Sequence, residues 1–181
     1  MIENYCQSGK NIQKKGDYYI IADHLRTTVF ALADGAGFEA KGRGYILKKL
    51  VKKATLLAYF LGLNGEQLKE VSEKLIEVNY SYYQHLKMKE NLIISELKKE
   101  IDKSMEFINK STKELEKYYT PEITAADIFF WYDTKGISLE LIRFYLKKKD
   151  YKFPGEEFNK LLEGQKEKAR KDREEKKVSV F

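Results

Sequence analysis

Residues 29–45, VFALADGAGFEAKGRGY, are where this chain must end one regular element and start another. An apolar run stops at Asp34, and Gly35, Gly37, Gly42 and Gly44 follow before an apolar pattern resumes. Read as a buried strand, FALA must deliver Asp34 to an exposed end, because a carboxylate left in the core carries a large desolvation cost. Gly35 has no side chain, so its carbonyl stays open to close approach. A carboxylate beside an unhindered carbonyl suits a hard cation, magnesium or manganese, which takes oxygen ligands.

The flanking segments supply the frame. YYIIAD (18–23) and TVFALA (28–33) are β-branched and aromatic, which predicts two strands joined by a turn around His24 and Arg26. Beyond the glycines, Ile46, Leu50, Val51, Leu57 and Leu61 recur at helical spacing with lysines between them. Asn64 is placed to cap a second helix with the stripe Leu68, Val71, Leu75, Val78 and Tyr82. A third carries Ile94, Leu97, Ile101, Met105 and Ile108, with Leu115 near its end and Pro121 closing the region. AADIFFWYD (125–133), TKG and the alternating ISLELIRFYL (137–146) predict a β-hairpin. A last helix begins near Pro154 with Phe158, Leu161 and Leu162 as its apolar face, and the terminal VSVF is a strand or a loose end. Runs of strands and helices segregated in this way predict an α+β fold, a largely antiparallel sheet with helices packed on it.

A hairpin of the first two strands brings a second carboxylate into play. Asp17 begins the first strand and Asp34 ends the second, so both are expected on one rim of the sheet. Carboxylates that close repel unless a cation lies between them.

GDYYII followed by VFALADGAG and a helix resembles the opening of the metal-dependent serine/threonine protein phosphatases (the PPM type), closest to the short bacterial sporulation and stress-response branch. The resemblance implies a reduced phosphatase-like domain over residues 1–153, with a charged helix and tail over 154–181. It implies that Asp17, Asp34 and the Gly35 carbonyl hold Mn2+ or Mg2+, and that a metal-bound water attacks phosphoserine or phosphothreonine on a protein partner. The family's second half carries a further Asp-Gly and an Asp-Asn. After residue 146 this chain has only Asp150 and Asp172, in no such motif. A catalytically inactive phosphatase-like module that binds a regulatory protein therefore stays open beside the enzyme.

Other readings compete at the same residues. Asp-Gly is a common turn pair. A nucleotide or methyl-donor loop fits poorly, because Gly35, Gly37 and Gly42 do not give the G-x-G-x-x-G spacing. His24 and His85 lack Cys or His partners at ligand spacing, so they are expected on a turn and on a helix surface, and Cys6 has no evident activating group. Trp131 and the aromatics of NYSYYQHL (79–86) are most simply core.

The formal charge is +6, and residues 147–177 are dense in both signs. That stretch offers a third reading, a nucleic-acid-binding accessory protein, although lysine interleaved with glutamate describes a solvated helix better than a phosphate-tracking stripe. The longest apolar run, ATLLAYFLGL, is too short to span a bilayer, and no signal peptide is apparent. One cysteine excludes an internal disulfide, so the expected location is the cytoplasm.

Overall fold

The structure, a computed structural model, describes residues 15–178. Cys6 and the end of VSVF lie outside them. The described residues form helices and no strand: α1 (Lys15–Ala33), α2 (Gly42–Phe60), α3 (Gly65–Asn79), α4 (Gln84–Met88), α5 (Glu90–Tyr118), α6 (Ala125–Asp133), α7 (Leu139–Lys148) and α8 (Gly155–Val178). The chain divides into two compact units, residues 1–109 and 110–181, the division falling within α5.

The expected α+β sheet is thus replaced by an all-helical architecture, and burial shows why. Across 18–33 the fully buried residues are Ile21, Leu25, Thr28 and Val29, joined by the nearly buried Leu32 and Ala33. Steps of three and four residues fit a helix, and no alternation appears. β-branched composition is a weak preference, and burial of one continuous stripe overrides it. The supposed turn at His24 and Arg26 is the middle of α1. Thr28 is accommodated there because its hydroxyl donates to the His24 carbonyl at 2.8 Å.

In the first unit α1 packs against α2, α3 and α4. One core gathers Ile21, Leu25 and Val29 with Val51 and Ala54 of α2, Leu68 and Ile76 of α3, Leu86 of α4, and Ile93, Leu97 and Ile101 of α5. α3 starts where the sequence places it. Asn64 accepts from the Gln67 amide at 2.9 Å, and the Gln67 side chain accepts from the Asn64 amide at 2.9 Å. The far end of the expected stripe does not hold, since Val78 is exposed and Tyr82 lies beyond the helix.

In the second unit the expected hairpin is two helices. Buried Leu141, Ile142, Tyr145 and Leu146 pair at helical, not alternating, positions. Thr124 caps α6: its hydroxyl accepts from the Asp127 amide at 3.3 Å, while one Asp127 carboxylate oxygen accepts from the Thr124 amide at 2.9 Å. Ser138 caps α7 by accepting from the Leu141 amide at 3.3 Å. Trp131 is core as expected, in a helix rather than a strand. Phe158 of α8 is fully buried among the rings of Phe129, Tyr132 and Phe153, at centroid distances of 5.8, 5.7 and 5.3 Å.

Candidate nucleic-acid interface

The residues expected to share a cation are not brought together. Asp17 lies in the first turn of α1 and Asp34 directly after its last residue. At a rise of about 1.5 Å per residue the two stand roughly 25 Å apart. Among the described residues no group of three or more His, Cys, Asp or Glu side chains is placed to hold a metal ion.

Asp34 and Gly35 stop a helix. The Gly35 amide donates to the Leu32 carbonyl at 3.0 Å and the Ala36 amide to the Ala31 carbonyl at 2.9 Å, while Gly35 has φ +91°. These paired bonds around a left-handed glycine are the Schellman motif. α1 has no basic residue in its last turn, so its negative end is met by side chains from elsewhere. Lys89 donates to the Ala33 carbonyl at 2.6 Å, and His85 Nε2 lies 3.5 Å from Asp34 Oδ1. Tyr83 sets its ring edge-on to Phe30 at 5.0 Å. Residues more than fifty positions away thus complete the helix end, a relation with no signature in the local sequence. His24 lies mid-helix beside Asp23, its Nδ1 at 3.7 Å from that carboxylate.

The remaining glycines fold the chain back across the start of α2. At Gly44 an added Cβ would lie 2.4 Å from the Gly37 carbonyl oxygen and 2.5 Å from the Glu39 amide nitrogen. Only glycine lets backbone approach backbone this closely. Between this loop and α2 is a cavity of about 670 Å³, with Asp34, Glu39 and Arg43 among its polar lining.

α2 itself, GRGYILKKLVKKATLLAYF, holds Arg43, Lys48, Lys49, Lys52 and Lys53 and no carboxylate. Burial of Leu47, Val51, Ala54 and Ala58 fixes its rotation and turns Lys49 and Lys52 to solvent, with Lys48 half-buried. Other lysines of this unit are neutralised: Lys69 by Glu73, Lys87 by Glu90 and Lys98 by Glu66. Each holds its proton more tightly than usual, chiefly through that hydrogen bond. No ion pair among the described residues engages Lys48, Lys49 or Lys52. The Lys49 ammonium lies 4.6 Å from the centre of the Tyr45 ring, which orients a cation without cancelling its charge. An acid-free cationic helix face is what a phosphate backbone requires.

The family model for class II (A) tRNA synthetases matches residues 1–181. The chain belongs to that family. As a member of the class II synthetases it is similar to the alanine–tRNA ligase of Mesoplasma florum, 32% identical over 177 residues, covering 96% of this chain and 20% of the relative. The alanine–tRNA ligase of Rickettsia prowazekii is 31% identical over 176 residues, 93% of this chain and 20% of the relative. That of Malacoplasma penetrans is 34% identical over 143 residues, 77% and 15% respectively. The chain spans about a fifth of the length of the curated relatives it matches.

Membership in the synthetase family overturns the phosphatase resemblance. GDYYII and ALADGAG, taken for two strands and a metal-bearing rim, are the start and the glycine stop of one helix. Neither dephosphorylation of a protein nor the inactive phosphatase-like module survives. Within the stretch 147–177 expected to meet nucleic acid, α8 alternates its cations with carboxylates, whereas α2 carries none. The signal was legible as KKLVKK without a single Asp or Glu. Among the described residues no helix is long and apolar enough to cross a membrane.

Proposed function

We propose that this chain serves an alanine–tRNA ligase as a tRNA-holding part, gripping the RNA backbone with the exposed face of α2. Family membership supports the partner, and the acid-free cationic helix supports the place. The single observation that carries the reading is that Lys48, Lys49 and Lys52 share one face that no carboxylate among the described residues neutralises. Lys48 and Lys52 are one turn apart, about 6 Å along the axis, so each addresses its own stretch of backbone. Binding of this kind releases condensed counterions and weakens steeply as salt rises. The joining of alanine to tRNA belongs, on this reading, to a full-length enzyme of which this chain supplies about a fifth.

The loop 35–41 contributes by position. Its glycines let it cross α2 beside Gly44, with Arg43 in the lining of the cavity at the start of the basic face. The test is binding of the chain to an alanine-accepting tRNA transcript, compared with a Lys48→Gln/Lys52→Gln variant. The expected result is saturable binding at low salt and a log K versus log salt slope lower by roughly 2 in the variant. Equal affinity and slope for both proteins would refute the placement.

A further inference from the structure

Residues 143–153, RFYLKKKDYKF, hold five cations against one carboxylate, Asp150. Arg143, Lys147, Lys148, Lys149 and Lys152 are exposed, and none forms an ion pair among the described residues. Three of them, Arg143, Lys148 and Lys149, rest on rings instead. The Lys148 ammonium lies 4.5 Å from the centre of the Phe144 ring and the Arg143 guanidinium 4.6 Å from that of Phe153. Lys149 lies 5.7 Å from both Tyr119 and Tyr145, which meet edge-on at 5.8 Å. Four ring contacts thus serve three cations of one short segment.

Cations in the last turn of a helix offset its dipole, which explains lysine at 147 and 148. It does not explain the rings. A carboxylate fixes an ammonium and cancels its charge, while a ring fixes it and leaves the charge in place. The rings themselves are anchored, since Tyr145 is buried and Phe153 packs on the buried Phe158.

We infer that the end of α7 and the turn after it form a second RNA-phosphate site, in which aromatic faces pre-orient un-neutralised cations toward the backbone. The inference rests on the RNA reading above and adds a contact on the second compact unit, distinct from α2. An acidic protein is the competing partner. Phosphates are favoured because five cations with a single carboxylate match a uniformly charged polymer, whereas protein surfaces mix signs.

The test uses the whole chain and the alanine-accepting tRNA transcript, with far-UV circular dichroism confirming that each variant is folded. A Lys147→Gln/Lys148→Gln/Lys149→Gln variant is expected to bind at least about tenfold more weakly at 0.1 M salt, with a salt slope lower by roughly 2 to 3. Phe144→Leu keeps every charge, so the slope should stay and the affinity fall about two- to fivefold, the equivalent of one exposed cation–ring contact. If the triple variant matches wild type while Lys48→Gln/Lys52→Gln lowers the slope, the α7 site is refuted and the α2 site stands. If wild type binds no RNA at low salt, both fail. Polyglutamate competing as well as RNA at equal charge would overturn the inference in favour of an acidic protein.

Discussion

Replacing Gly44 by alanine separates two opposed effects. In an unobstructed helix the exchange stabilises by about 0.5–1 kcal/mol, because glycine loses more backbone freedom on folding. At Gly44 the new methyl would lie 2.4 Å from the Gly37 carbonyl oxygen, 2.5 Å from the Glu39 nitrogen and 2.7 Å from the Glu39 Cβ. Two of those atoms are backbone, so no side-chain rotation relieves the overlap and the loop must move. Overpacking of this kind costs about 1–3 kcal/mol, which exceeds the propensity gain and leaves a net loss of up to roughly 2 kcal/mol. Gly164 is the internal control, a helical glycine of α8 with nothing within 4 Å of a built Cβ. Urea unfolding of each variant, followed by far-UV circular dichroism, should give a lower midpoint for Gly44→Ala and an equal or higher one for Gly164→Ala. A stabilised Gly44→Ala would refute the argument, because it would mean the loop does not press on α2.

Gly35 adopts φ +91°, so Gly35→Ala should destabilise by about 1–2 kcal/mol, measured the same way; an unchanged midpoint would mean that α1 does not depend on this stop. The Thr124 hydroxyl and amide hold the Asp127 carboxyl below its ordinary value of 3.8. A lowered carboxyl stabilises above the unfolded value and loses that contribution as pH falls through the folded one. Asp127→Asn should therefore cost about 0.5–1 kcal/mol at pH 7, after solvent screening, and nothing once the pH is well below 3.8. A cost that persists in acid would show that the cap does not act through the charge.

α2, the Asn64 cap of α3, the long apolar stripe of α5 and the start of α8 were readable because spacing and capping chemistry agreed. α1 was misread because Tyr18, Ile20, Ile21, Thr28 and Val29 carry strand-favouring side chains, and composition was weighed above the four-residue step from Ile21 to Leu25 to Val29. α6 and α7 were misread for a related reason: TKG resembles a hairpin turn, although Thr124 with Asp127 three residues on is a helix-start signature. The metal rim at Asp17, Asp34 and Gly35 followed from the strand error, since a helix of this length carries its two ends apart. The contacts of Lys89 and His85 with the end of α1 depend on tertiary packing, and local sequence holds no trace of them. The acid-free run KKLVKK in α2 is visible in the sequence, but it is less conspicuous than the charge-balanced tail.

The central claim, that α2 holds tRNA through Lys48, Lys49 and Lys52, is tested most directly by lysine acylation read by mass spectrometry, with and without the alanine-accepting transcript. The account predicts that these three lysines lose reactivity when RNA is bound while Lys74 and Lys99, paired with Glu77 and Glu96, label as before. Saturating RNA that leaves Lys48, Lys49 and Lys52 labelling at their free rate would contradict it.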